Sequence, residues 1–108
     1  MTDKIVVLST CGSAEEAEKI ARNLVEGGLV ACVNILPGLR SIYRWKGAVE
    51  DARECLLIMK TTRERFESLK SAFVALHSYE VPELIALPIV DGLEGYLGWI
   101  AESASGID

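Results

Sequence analysis

The sequence predicts a small α+β subunit in the order strand, helix, strand, strand, helix, strand, closed by a short helix. Three observations predict it. Lys4 to Cys11 alternates its residues over two largely apolar faces, as a central strand does. Two stretches carry apolar residues at helical spacing behind a hydroxyl residue with Glu three places on, at Ser13/Glu16 and Thr61/Glu64. Between them lie two long runs rich in β-branched and aromatic residues, Leu29–Ile35 extended by Ser41–Trp45, and Cys55–Met59, with Lys46-Gly47 in the gap.

In the first strand, Ile5, Val7, Ser9 and Cys11 share one face and Val6, Leu8 and Thr10 the other. Gly12 ends it, and Ser13 caps a helix whose stripe is Ala17, Ile20, Ala21, Leu24 and Val25. Gly27-Gly28 stops that helix. The ribbon follows, bent at Pro37-Gly38 and turned at Gly47. Pro37 has no backbone donor, so it belongs at an edge or bulge. Thr61 is expected to cap the second helix, with Phe66, Leu69, Phe73 and Leu76 inward, and His77-Ser78-Tyr79 ends it. Val81-Pro82-Glu83 leads into a last strand over Leu84–Val90. Asp91-Gly92 turns the chain into a closing helix marked by Leu93, Tyr96, Leu97 and Ile100, and residues 102–106 read as a frayed end. This order is the ferredoxin-like βαββαβ arrangement. Right-handed crossovers place both main helices on one face of the sheet and leave the other bare. A bare face and a long free ribbon call for another copy of the chain.

A chain of 108 residues is one domain, residues 1–108. Half of its residues are hydrophobic, rich for a small monomer, which again points to apolar surface shared between subunits. The net charge of −5 speaks against a nucleic-acid partner, since binding to a phosphate backbone rests on Lys and Arg. The only early apolar run, Ile5–Leu8, is too short for a leader or a membrane span. Three cysteines, Cys11, Cys32 and Cys55, without paired spacing fit free thiols in a reducing compartment, hence a cytoplasmic expectation.

Few residues carry obvious chemistry. No Ser-His-Asp order, HExxH, Walker or GxGxxG pattern is present, so no enzyme is expected. His77 is the sole histidine and is followed by Tyr79, Glu80 and Glu83. An imidazole, a phenol and two carboxylates can hold a metal; a His at a helix end also suits the helix dipole, and both readings stand. Cys11 precedes a helix N-terminus, which suits either a metal-binding thiol or a small buried residue. Lys60 stands beside the second helix start, where it suits an anion or plain solvent. Trp45 at the ribbon tip reads as a subunit contact.

Five stretches carry a resemblance: Ala31-Cys32-Val33-Asn34-Ile35 with Pro37; Ser41, Tyr43, Trp45 and Gly47 at alternate positions; Lys60-Thr61; His77 with Tyr79-Glu80-Val81-Pro82-Glu83; and Tyr96 with Trp99. In this order they resemble the CutA family, the divalent-cation tolerance proteins, over almost the whole chain. The resemblance implies a PII-like homotrimer whose strands pair between subunits. It also implies a soluble, cytoplasmic protein that binds Cu²⁺ or another divalent cation; the charge and the short apolar run already argue against a nucleic acid or membrane partner. Of the family's proposed copper ligands only His77 carries over directly. Ser9 stands where a Cys is usual, Leu76 where a second His is usual, and Ser78 replaces a Pro; Cys11 lies on the strand face of Ser9. The candidate metal set is therefore His77, Cys11, Glu80 and Glu83. The PII likeness implies an alternative, a sensor taking a small anionic ligand in an intersubunit pocket of Lys60, Tyr79, Trp45 and Trp99. A trimer kept mainly as a stable scaffold is the third reading.

Overall fold

The computed structural model describes residues 2–106. Strand β1 (Lys4–Cys11) buries Ile5, Val7, Ser9 and Cys11 and leaves the intervening residues half-buried, the predicted alternation. Helix α1 (Ala14–Glu26) starts on Ser13, whose Oγ accepts the Glu16 N–H at 3.1 Å. Its buried stripe is Ala17, Ile20 and Leu24, while Val25, expected inward, is 42 % exposed. The helix ends in a Schellman motif: Leu29 N–H donates to Leu24 O and Gly28 N–H to Val25 O, both at 3.0 Å. Gly28 has φ +68°, and a Cβ there would lie 2.8 Å from the Gly106 backbone, so both conformation and space require glycine.

Strands β2 (Cys32–Trp45) and β3 (Ala48–Thr62) form the long ribbon. Their register slips between Leu36 and Leu39, around Pro37-Gly38, as the proline predicted. Lys46 and Gly47 both have positive φ, 49° and 83°, and Trp45 pairs with Ala48 across them. This is the two-residue turn whose twist matches a hairpin. Thr61 is not a cap: it points inward from β3 and its hydroxyl donates to Leu29 O at 2.7 Å. Thr62 does the capping, accepting the Arg65 N–H ahead of a single 3₁₀ turn (Arg63–Arg65) and helix α2 (Phe66–Leu76). Both threonines are buried, but strand alternation points them to opposite faces, so Thr61 reaches Leu29 and Thr62 caps the turn.

Strand β4 is shorter than expected, Ile85–Pro88, pairing only from Ile5↔Pro88 to Leu8↔Ile85. The sheet order is β2-β3-β1-β4, antiparallel throughout, so β1 is internal and β2 and β4 are edges. This is the ferredoxin-like arrangement. Helices α1 and α2 share one core with β1 and β3, built on Ile20, Leu24, Leu69, Phe73, Val7, Leu57 and Met59. Helix α3 (Glu94–Ser103) forms despite Gly95 and Gly98 and packs Ile100 with Ala31 and Ala104. Residues 102–106 are held, not frayed. Ala104 is buried, Gly106 N–H donates to Gly28 O at 3.0 Å, and Arg65 Nε donates to Ala104 O at 3.0 Å.

The sheet face opposite α1 and α2 is poorly covered. Val6 and Leu8 are half-buried there, and their partners Leu87 and Ile85 are exposed. The radius of gyration is 14.3 Å. A compact domain of this length has about 13 Å. The excess reflects the projecting ribbon.

Candidate functional site

The open face holds a cavity of about 550 Å³ where the ribbon leaves the body of the sheet. Thr10 closes it at the end of β1, Glu54 of β3 forms its floor, and Ser41, Tyr43 and Trp45 of β2 line one wall. The spacing of these three residues puts them on one strand face. The opposite wall is the segment after α2: Tyr79, Glu80, Val81 and Glu83.

His77 anchors that segment. It caps α2 with extended backbone, and its side chain is fully enclosed. Tyr79 N–H donates to Nδ1 at 3.0 Å, which requires the lone pair on that nitrogen. The proton is therefore on Nε2, which donates to Thr10 O at 2.8 Å. The ring also meets Phe73 and Tyr79, with centroids 5.3 and 4.6 Å away. Both nitrogens are engaged, and a metal would have to displace one of these partners. Glu16 Oε2 accepts the Ser78 N–H at 2.9 Å and lies 3.6 Å from His77 Nδ1. Burial works to raise the Glu16 pKa, but hydrogen bonds led by those with Ser78 outweigh it and hold the carboxyl below its ordinary value. The expected reciprocal capping partner of Ser13 thus reaches across to the α2–β4 loop instead.

Tyr79 completes the chain of contacts. Its hydroxyl donates to Glu54 Oε2 at 2.6 Å, and burial together with this carboxylate pushes the phenol pKa well up. Glu54 is only 6 % exposed. Glu80 Oε1 lies 3.4 Å from Lys46 Nζ at the rim.

The predicted metal set does not assemble. Cys11 is buried on the helix side, its Sγ donates to Ser13 O at 3.5 Å, and burial pushes its pKa up to about 11. Glu80 and Glu83 line the cavity, whereas His77 is enclosed behind it. Among the described residues no three His, Cys, Asp or Glu side chains are placed to share a metal ion. The donors around His77 therefore do not fit a resident copper ion within one subunit.

The predicted pocket set divides. Tyr79 and Trp45 line the cavity, but Lys60 and Trp99 do not. Lys60 Nζ donates to Asn34 Oδ1, and Trp99 packs on Tyr96 at 5.5 Å between centroids. Sequence reasoning missed Glu54, Tyr43 and Ser41 as wall residues. The alternate spacing of Ser41, Tyr43 and Trp45 was their signal; Glu54, at the head of an apolar run, gave little. Within one subunit the lining carries three carboxylates and no Lys, Arg or His.

All three cysteines are free. No helix of the described residues is long and apolar enough to cross a membrane.

Comparison with known proteins accounts for this architecture. Residues 5–103 match the family model of the CutA1 divalent ion tolerance protein. The divalent-cation tolerance protein CutA of Thermus thermophilus is 54 % identical over 98 residues, spanning 91 % of this chain and 95 % of that protein. The chloroplastic CutA of Arabidopsis thaliana is 46 % identical over 99 residues, spanning 92 % of this chain and 54 % of that longer protein. The solved structure of the periplasmic divalent cation tolerance protein CutA from Archaeoglobus fulgidus superposes with a TM-score of 0.90 at 42 % identity, covering 94 % of this chain and 98 % of that one. From the five motif stretches, the β2-β3-β1-β4 sheet and these relatives together, the chain belongs to the CutA1 family of divalent ion tolerance proteins.

Proposed function

We propose that this chain is a non-catalytic homotrimer of the divalent-cation response that acts by binding a ligand in the cavity beneath its ribbon. One observation carries the reading. The cavity lies on the face that the subunit leaves uncovered, between a strand wall of Tyr43 and Trp45 and a loop locked by His77. Ligand pockets favour such apolar walls with a few convergent polar groups, and they favour subunit boundaries. Trimerisation is supported by the two free sheet edges and by exposed Leu36, Ile42, Val49, Ile85 and Leu87. The number three is what the family resemblance implies. Light scattering at low micromolar concentration should give about three times the 11.8 kDa chain mass, and a folded monomer would overturn the reading. Free Cys11 and Cys55, directly opposite each other on β1 and β3, support residence in a reducing compartment such as the cytoplasm.

A second reading, a Cu²⁺ centre at His77 with Cys11, Glu80 and Glu83, draws support from the family's link to divalent cations. The two hydrogen bonds of the imidazole oppose it. Isothermal titration with Cu²⁺ separates the two. Equal affinity of wild type and His77→Ala supports the cavity; a tenfold loss in a correctly folded trimer moves the copper centre to first place.

A further inference from the structure

We propose that the cavity binds a small alkylammonium cation, with the ammonium on Glu54 and the carbon chain against Tyr43 and Val81. This rests on the reading of the cavity as the ligand site and names the ligand's chemical class. Glu54 supplies the first argument. It is only 6 % exposed, and one oxygen, Oε2, accepts the Tyr79 hydroxyl. Its Oε1 takes no hydrogen bond among the described residues, yet no buried side-chain oxygen there lacks a partner. Oε1 must therefore be accessible, and the space it opens on is the cavity that Glu54 lines. A nearly buried carboxylate with one free oxygen is a strong acceptor awaiting a donor.

Charge then selects the donor. Glu80 and Glu83 share the lining with Glu54, and no basic side chain joins them. An anion would meet net repulsion from the lining of one subunit. A hard divalent ion needs six or more oxygen ligands in a closed shell. Here no three carboxylates converge, and Tyr43, Trp45 and Tyr79 share the lining with them. Rings and carboxylates together are the surroundings that favour an organic cation.

The chain itself supplies an ammonium in such surroundings. Lys46, at the ribbon tip, holds its Nζ 5.5 Å from the Trp45 ring centroid and 3.4 Å from Glu80 Oε1. A primary amine on a flexible carbon stem thus already sits on an aromatic face beside a rim carboxylate. Lys46 is a tethered competitor for part of the site, and removing it should free Glu80 and Trp45 for the ligand.

Isothermal titration of the full chain with 1,4-diaminobutane at neutral pH and low salt tests this. Saturable binding is expected. Glu54→Gln, which still accepts the Tyr79 hydroxyl, should weaken it at least tenfold. Lys46→Asn should tighten it several-fold, and this substitution also gives the Asn-Gly pair that the tip turn favours. The two changes act in opposite directions, which a general loss of structure cannot imitate. Lys46→Asn alone keeps the test decisive should Glu54→Gln not fold. Diamine binding that ignores Glu54, weakens in Lys46→Asn, or is absent overturns the proposal. Parallel titrations with Mn²⁺ and ATP separate it from its parent reading. If either shows Glu54-dependent binding and the diamine does not, the cavity stands and the amine falls. If none of the three does, the cavity reading falls with it.

Discussion

His77 shows how one side chain can organise a site without contacting a ligand. Its ring joins the end of β1, through Thr10, to the loop that carries Tyr79, and Tyr79 in turn fixes Glu54. Truncating it removes two hydrogen bonds and two ring contacts from an enclosed position, so His77→Ala should cost about 2–4 kcal/mol of stability. Thermal unfolding measures this. Glu16 gives a pH signature. Its pKa in the folded state is held below the ordinary 4.5, so its contribution is complete above that value and fades as the pH falls through the lower folded-state pKa. The melting-temperature gap between wild type and Glu16→Gln should therefore narrow on acidification below about pH 4.5, and a gap constant down to pH 3 would remove Glu16 from the latch. The thiols divide by burial. Cys11 and Cys55 are enclosed, and Cys11 is held protonated to about pH 11, while Cys32 is half-buried. Mass spectrometry after brief native alkylation should find Cys32 modified first. The identity of His77 as a special residue was legible in the sequence. Its role was not, because the partners that occupy its nitrogens lie 67 residues upstream and in its own loop.

The elements were legible wherever a local signal fixed them. Ser13 with the Glu16 N–H, Gly27-Gly28, Pro37 and the Lys46-Gly47 turn each act within a few residues, and each appears where the sequence put it. The misplacements came from long-range contacts. Thr61 turns inward because Leu29 O needs a donor, which leaves Thr62 as the cap. Residues 104–106 are held because Arg65 Nε donates to Ala104 O and Gly106 N–H donates to Gly28 O, contacts that no local sequence signal announces. Gly28 is the place to test this closure. Gly28→Ala forces a Cβ into positive φ and against the Gly106 backbone at 2.8 Å, so a loss of about 1–3 kcal/mol is expected in chemical denaturation.

At the scale of the molecule, the single chain leaves one sheet face and two sheet edges uncovered. Leu87 and Ile85 face outward from β4 on the open sheet face, and β2 offers its free edge on the far side. Burying a charge there should be incompatible with assembly. If the proposed trimer forms through this face, Leu87→Lys is expected to shift the light-scattering mass toward the single chain, and an unchanged mass would place the interface elsewhere. The cavity wall belongs to this scale as well. Tyr43 and Trp45 stand on a part of the ribbon that the body of the subunit does not support, which is why composition hinted at assembly before any pocket could be located.

The slip at Pro37-Gly38 bears on what kind of assembly is possible. A straight edge of fourteen residues would accept copy after copy, and the natural product of such addition is a fibre. The slip bends β2 and sets its outer half at an angle to its inner half. In the proposed trimer, a neighbour docked along one half would turn away from the line of the other, which disfavours open-ended addition and suits a closed assembly. Deleting these two residues should straighten the edge, and turbidity or thioflavin fluorescence should then rise with time where the intact chain stays clear.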